Sequence, residues 1–302
     1  RKENGYLNLD IPESKITLDE NGFAINVQKY ETYFSNEIIE QFMLAANETI
    51  AEKFYWLQAP FIYRNHEAPD LDKVKDLNKV LYNFGYKIKI SKEDIIYPNE
   101  FAKILDDVKG KETEKVVSNI ILRTLRVAKY EAENKGHFGI ASKYYCHFTS
   151  PIRRYPDLFI HRIISKYLEN DYMVNDFWIK KYEKRAEKRA ENCSERERTA
   201  TKVEREAEDI KKAEYMENKI GEEYEGIISS ITNFGIFVEL ENTIEGLIRY
   251  ETLGDEYFIY NEERREAIGE HSNKIYKIGD KVKIRVADAN KALRRIDFEI
   301  VE

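Results

Sequence analysis

Tyr224-Glu225-Gly226-Ile227-Ile228-Ser229-Ser230-Ile231-Thr232-Asn233-Phe234-Gly235-Ile236-Phe237-Val238-Glu239-Leu240 is the stretch that decides the fold of the C-terminal part of this chain. Two β-rich runs flank Thr232-Asn233-Phe234-Gly235, a turn that closes a hairpin. Glu245-Gly246-Leu247-Ile248-Arg249 reads as a third strand, and residues 276–286 and 295–300 as two more. Five short strands with glycine at the turns predict a small closed barrel of the OB type. Before Lys219 the pattern is mainly helical. The boundary falls near residues 219–221, which gives domains at 1–218 and 219–302 and an α+β chain overall.

Working toward the N-terminus, a long helix is predicted over 176–218. Its less polar positions, Tyr182, Ala186, Ala190, Cys193, Ala200, Val203, Ala207 and Ile210, share one face. Further helices are predicted over 36–54 (capped by Ser35), 70–84, 100–108, 113–133 and from 154 to 168. Residues 5–30 read as extended: Leu7, Leu9 and Ile11 alternate, and Asp19-Glu20-Asn21-Gly22 marks a hairpin turn. Phe61-Ile62-Tyr63 reads as a short strand.

The chain has 302 residues, 42% of them apolar, which supports a buried core and excludes a disordered chain. No run of about 18 apolar residues occurs, so no membrane span is expected. Two cysteines, Cys146 and Cys193, are too few for a disulfide framework and point to a reducing, cytoplasmic setting. Arg1 in place of Met suggests a piece of a longer chain. The net charge is −7, of which −6 falls in residues 219–302. A bulk positive field is thereby excluded, and any polyanion must be met by local cationic strips.

The densest chemistry lies in Gly136-His137-Phe138-Gly139 and His147-Phe148-Thr149-Ser150-Pro151-Ile152-Arg153-Arg154-Tyr155-Pro156-Asp157, ending at His161-Arg162. Ser150-Pro151 reads as a helix start, with a capping hydroxyl and a proline that needs no N–H. Two arginines at such a start suit a phosphate, by bidentate contact and by the positive helix end. Equally, they could be a surface pair bridged to neighbouring carboxylates. Asp157 and His161 stand four apart and could pair with each other. Glu197 lies on the apolar stripe of the long helix, where a carboxylate needs a partner. Arg153 is a candidate, either as a structural ion pair or as part of a site. In the barrel, Phe234 at the turn suits base stacking. Phe237 is either core or a second stacking ring, and Arg249, Lys283 and Arg285 are expected nearby to meet a nucleic-acid backbone.

The run from His147 to Asp157 resembles the RNase II / RNase R (RNB) family of 3′→5′ exoribonucleases. The ITNFGIFVEL and EGLI segments resemble the S1-type RNA-binding domain that follows the catalytic domain in that family. The likeness runs over essentially the whole chain and lies nearer to the RNase R branch. It implies an enzyme in which one RNA strand threads into a channel. Two Mg²⁺ ions held by aspartates would then direct water at the last phosphodiester, releasing nucleoside 5′-monophosphates. It further implies that Arg153 contacts the scissile phosphate, that Glu197 lies near the reacting centre and that Glu40 lies near the terminal ribose. Ser150, Arg154 and Tyr155 are expected to be RNA contacts beside them. Leu9 stands where some members carry a clamping Phe, so no clamp is expected there.

The aspartate cluster of the family lies upstream of the matched region. Asp70 and Asp72 sit at a helix start and Asp106-Asp107 in a charged helix, so no metal ligands are expected in this chain. The expectation is a monomeric C-terminal portion of an exoribonuclease that binds single-stranded RNA but hydrolyses it poorly alone. A non-catalytic RNA-binding protein on the same scaffold is the alternative. A Ser/His hydrolase through Ser150 and His147 or His161 lacks a nucleophile-elbow context.

Overall fold

The computed structural model describes residues 1, 4–7, 13–111, 113–254, 256–262 and 264–301. Leu9 and Ile11 lie outside them. The chain forms two compact units. The first comprises residues 1–9, 32–109 and 120–200, and the second residues 10–31, 110–119 and 201–302. No helix among the described residues is long and apolar enough to cross a membrane.

The first unit is built on helices α1 (Phe34–Trp56), α2 (Leu71–Tyr82), α3 (Pro98–Val108) and α5 (Tyr155–Glu169), with the first part of α6 (Asp176–Glu217). Its core joins Phe54 of α1, Phe61, Ile160 and Ile163 of α5, and Ala186, Ala190 and Cys193 of α6. The small residues of α6 let the aromatics of α1 and α5 approach closely. Helix α1 begins one residue before Ser35, with Tyr33 at the cap position, and Asn36 Oδ1 accepts the Tyr33 N–H at 3.0 Å, so the helix start is closed from Asn36 and not by Ser35.

Three readings of the sequence differ from the structure. Helix α4 (Glu114–Thr124) ends well short of residue 133, because Lys129–Glu131 forms strand β4 and pairs with β3 (Tyr63–Asn65). Long-range pairing overrides local helical period here. Helix α5 starts at Tyr155, after the irregular segment as expected, so Ser150-Pro151 opens a turn and not the helix; Pro156 lies in its first turn and Arg154 is extended before it (φ −125°, ψ 121°). The apolar stripe of α6 is buried only in part: Ala186, Ala190 and Cys193 are covered, whereas Val203 is 61% exposed and Ile210 39%.

The second unit centres on a closed barrel of β5 (Glu223–Thr232), β6 (Gly235–Leu240), β7 (Glu245–Arg249), β11 (Lys281–Asn290) and β12 (Arg295–Ile300). The strands run in the order β11-β12-β7-β6-β5, antiparallel except where β12 meets β7. Ile228, Ile236, Val238, Ile248, Ile284, Val286 and Phe298 fill the interior, following strict alternation on β6. Gly246 is obligatory: a Cβ there would stand 2.4 Å from the Phe298 ring. Between β7 and β11 lies a three-stranded sheet of β8 (Phe258–Asn261), β9 (Glu266–Gly269) and β10 (Ile275–Lys277), so the single strand expected over 276–286 is two strands broken at Gly279.

The N-terminal hairpin, β1 (Ser14–Leu18) with β2 (Ala24–Lys29), belongs to this second unit. Buried Glu214 near the end of α6 anchors it, accepting the Ala24 N–H at 3.0 Å and pairing with Lys211 at 2.8 Å and Lys291 at 3.3 Å. The Lys211 and Ala24 hydrogen bonds hold its carboxyl down at about 2. Glu214→Gln is therefore expected to lower stability by about 2 kcal/mol at pH 7. A lowered carboxylate stabilises above its unfolded value and loses that contribution as pH falls toward 2. The difference between wild type and variant should thus shrink between pH 5 and pH 2, read as melting temperature by circular dichroism.

Candidate nucleic-acid site

Strand β3 carries Arg64 between the buried Tyr63 and Asn65. Arg64 Nη1 donates to Glu197 Oε2 at 2.5 Å, and its guanidinium lies 4.5 Å above the Tyr130 ring. Arg64, not Arg153, is thus the partner of Glu197. The two are 133 residues apart in sequence; the β3–β4 pairing sets Arg64 beside Tyr130, whose N–H donates to Ser194 of α6 at 2.8 Å. On the same sheet the Tyr130 hydroxyl meets His147 Nδ1 at 2.9 Å, and the His147 ring packs edge-on against Tyr145. Asn47 of α1 ties down the segment that carries His147: its side-chain amide donates to the Tyr145 hydroxyl at 3.2 Å and accepts the Phe148 N–H at 2.9 Å.

Burial pushes His147 down to about 2, helped by the positive charges of Arg154, Arg64 and Arg153. Burial, with His66 and Arg64, likewise holds His137 at about 3. Both imidazoles are neutral at physiological pH.

Residues 150–154 make a tight turn in which the Ser150 carbonyl accepts the N–H groups of Arg153 (3.3 Å) and Arg154 (3.1 Å). Arg154, expected to contact RNA, is engaged with Asp157: Nη2 lies 2.7 Å from Oδ1 of that fully buried carboxylate. Asp157 therefore pairs with Arg154 and not with His161, whose Nε2 meets the Phe148 carbonyl at 3.0 Å. Arg153 is exposed and makes no ion pair or side-chain hydrogen bond among the described residues. Tyr155 is 39% exposed, with the Arg189 guanidinium 5.6 Å above its ring. Glu40, exposed on α1, accepts a hydrogen bond from the Tyr6 hydroxyl at 3.0 Å. Burial, with that carboxylate, pushes the Tyr6 phenol up to about 12.

On the barrel, Phe234 is half exposed at the β5–β6 turn and packs edge-to-face with Phe237 at 5.9 Å. Phe237 points outward, between inward Ile236 and Val238. Arg249 stands across from Gly235, the residue after Phe234. Lys283 and Arg285 are not part of this cluster. They pair with Glu223 (2.7 and 2.8 Å), and Arg285 also with Glu299, beside the start of β5, where the barrel's own carboxylates neutralise them. Phe234→Ala is accordingly expected to weaken binding of a short single-stranded oligoribonucleotide by about 1–3 kcal/mol, the worth of one stacked base. Lys283→Ala should change the Kd by less than about twofold at 0.15 M salt, since exposed paired charges contribute little. Fluorescence anisotropy measures both.

Among the described residues no group of three or more His, Cys, Asp or Glu side chains could hold a metal ion. Asp70 is tied to Arg126, Asp72 to Lys75, Glu197 to Arg64 and Asp157 to Arg154. These carboxylates do not fit a metal centre, and the chemistry derived from this chain uses none.

Sequence reasoning missed Arg64, Tyr130 and Asn47. Arg64 left one signal, an arginine inside a strand flanked by residues that both turn out to be buried.

An RNB domain model matches residues 1–170, and an S1 RNA binding domain model matches residues 217–301. Ribonuclease R 1 of Lactococcus lactis subsp. lactis is 44% identical over 299 residues, covering 99% of this chain and 36% of that protein. Ribonuclease R of Aquifex aeolicus is 40% identical over 306 residues, covering 100% of this chain and 42% of that protein. The structure of Mycoplasma genitalium RNase R in complex with ribose methylated single-stranded RNA superposes with a TM-score of 0.91 at 30% identity, over 99% of this chain and 47% of that one. The chain thus spans less than half the length of each of these proteins. The turn that exposes Arg153, the aromatic hairpin of the barrel and these matches agree: the chain belongs to the RNB family, with an S1 RNA binding domain at its C-terminal end.

Proposed function

We propose that this chain is the portion of a 3′→5′ exoribonuclease that receives the end of a single RNA strand, with residues 1–218 as catalytic-domain portion and 219–302 as RNA-binding portion. The observation that carries the reading is Arg153. Of Arg64, Arg153 and Arg154, the first and last are committed to carboxylates, and Arg153 alone is exposed with no side-chain partner among the described residues. A planar guanidinium in that position suits two oxygens of a phosphodiester and stabilises the charge that builds on them during hydrolysis. Glu197, fixed by Arg64, supplies an acceptor of set orientation beside it. Glu40 supplies a second acceptor for ribose hydroxyls. Phe234, Phe237 and Arg249 hold the strand upstream by stacking and charge.

RNB family nucleases are generally dependent on a divalent metal. Mg²⁺ is the ion proposed, held by carboxylates from outside the described residues. Products are nucleoside 5′-monophosphates, and the setting is the cytoplasm. The single-stranded RNA bound to the Mycoplasma genitalium relative supports the choice of partner.

Incubating end-labelled single-stranded RNA with Mg²⁺, and with this chain or a longer protein that contains it, tests the reading. The chain alone is expected to bind RNA and release little nucleotide, and the longer protein to release mononucleotides. Tight binding by both without release would favour a non-catalytic RNA-binding protein.

A further inference from the structure

The turn Ser150–Arg153 covers almost nothing itself: Ile152 is 98% exposed and Arg153 is exposed. A fully buried carboxylate nevertheless fixes it. Asp157 Oδ1 accepts the Ser150 N–H at 2.7 Å, Arg154 Nη2 at 2.7 Å and Arg154 Nε at 3.2 Å. The two ends of the turn are thereby held on one oxygen atom, and the Ser150 carbonyl closes it from the other side. Loops that bury little are ordinarily mobile, so a buried charge beneath an exposed tip has no evident packing purpose.

We propose that Asp157, acting through Arg154, is a positioning residue that holds the guanidinium of Arg153 where the phosphodiester arrives. This inference rests on the role given to Arg153 above. It assigns Arg154 to the inside of the turn instead of to RNA. A shift of about 1 Å in a group that contacts the reacting phosphate costs on the order of 100-fold in rate. Loss of the strut should therefore appear in kcat and leave KM nearly unchanged, because the barrel and the rest of the strand still bind.

Asp157→Asn is the informative variant. Its amide oxygen can still accept the Ser150 N–H, and its NH₂ would occupy the place of Oδ2, which has no hydrogen-bond donor among the described residues. It removes the charge that holds Arg154. Steady-state release of labelled mononucleotide should be measured in the longer protein for wild type, Asp157→Asn, Arg153→Ala and the double variant. The expected result is a 10–100-fold fall in kcat for Asp157→Asn, with KM within about twofold. No further fall is expected when Asp157→Asn is added to Arg153→Ala. An unchanged kcat in Asp157→Asn, or the same fold-loss in both backgrounds, would overturn the positioning role while leaving Arg153 in place. Full activity of Arg153→Ala, or no activity in the longer protein, would overturn the role of Arg153 and this inference with it. Should Asp157→Asn not fold, Arg154→Lys, which keeps the charge but not the planar fork, is compared in the same two backgrounds.

Discussion

Arg153→Ala is expected to lower kcat on single-stranded RNA by about 10²–10³ in the longer protein, the usual loss when one donor to developing charge is removed. KM should move by less than about fivefold, because stacking on Phe234 and Phe237 and the remaining phosphate contacts are untouched. Arg153→Lys should recover only part of the rate: an ammonium keeps the charge but cannot bond two phosphate oxygens at once. The folded state should barely notice either change, since the Arg153 side chain is exposed and makes no ion pair or hydrogen bond among the described residues. Steady-state release of labelled mononucleotide, with melting temperature as a control, measures the effect. Activity within threefold of wild type in Arg153→Ala would remove this residue from the reaction.

The first unit should be unusually sensitive to mild acid. His137 and His147 stay neutral in the fold, at about 3 and about 2. In the unfolded chain each titrates near its ordinary value of about 6.5. A group whose folded value is depressed stabilises above the unfolded value and loses that contribution as pH falls. Below about pH 6.5 the unfolded state binds protons that the folded state refuses. Two such imidazoles cost about 2–4 kcal/mol between pH 7 and pH 5. Burial lowers His66 as well, against a backbone hydrogen bond that raises it. Carboxylates contribute little in that interval because they remain ionised. Both tryptophans of the chain, Trp56 and Trp178, lie in the first unit, so fluorescence-monitored urea unfolding reports on it selectively. The midpoint should fall clearly from pH 7 to pH 5, and His147→Gln should remove about half of that fall. An equal midpoint at both pH values would mean that these imidazoles accept protons in the folded state.

The barrel was readable because its signals are local. Alternation from Ile236 to Leu240 and the Phe234-Gly235 turn need only a few neighbouring residues. Arg153 was readable for a related reason: adjacent arginines between two prolines are an unusual local pattern. What escaped depends on contacts distant in sequence. Residues 125–133 carry a helical period, yet Tyr130 goes to a strand because Arg64 is there to pair with it. The Ser150-Pro151 start signal opens a turn and not α5, because the buried Asp157 carboxylate takes the Ser150 N–H and leaves the turn separate from the helix. Arg64 as partner of Glu197, and Glu223 as partner of Lys283 and Arg285, are pairings across 60 to 133 residues. The exposed length of the α6 stripe from Ala200 to Ile210 shows the same limit. Periodicity reports which face is less polar, not what covers it.

The most direct measurement follows the fate of a 5′-labelled single-stranded RNA in Mg²⁺ with the longer protein. The account predicts progressive shortening from the 3′ end, nucleoside 5′-monophosphate as the released product, and near-complete loss of both in Arg153→Ala. Internal cleavage fragments, shortening from the 5′ end, or RNA that stays intact while bound would contradict it.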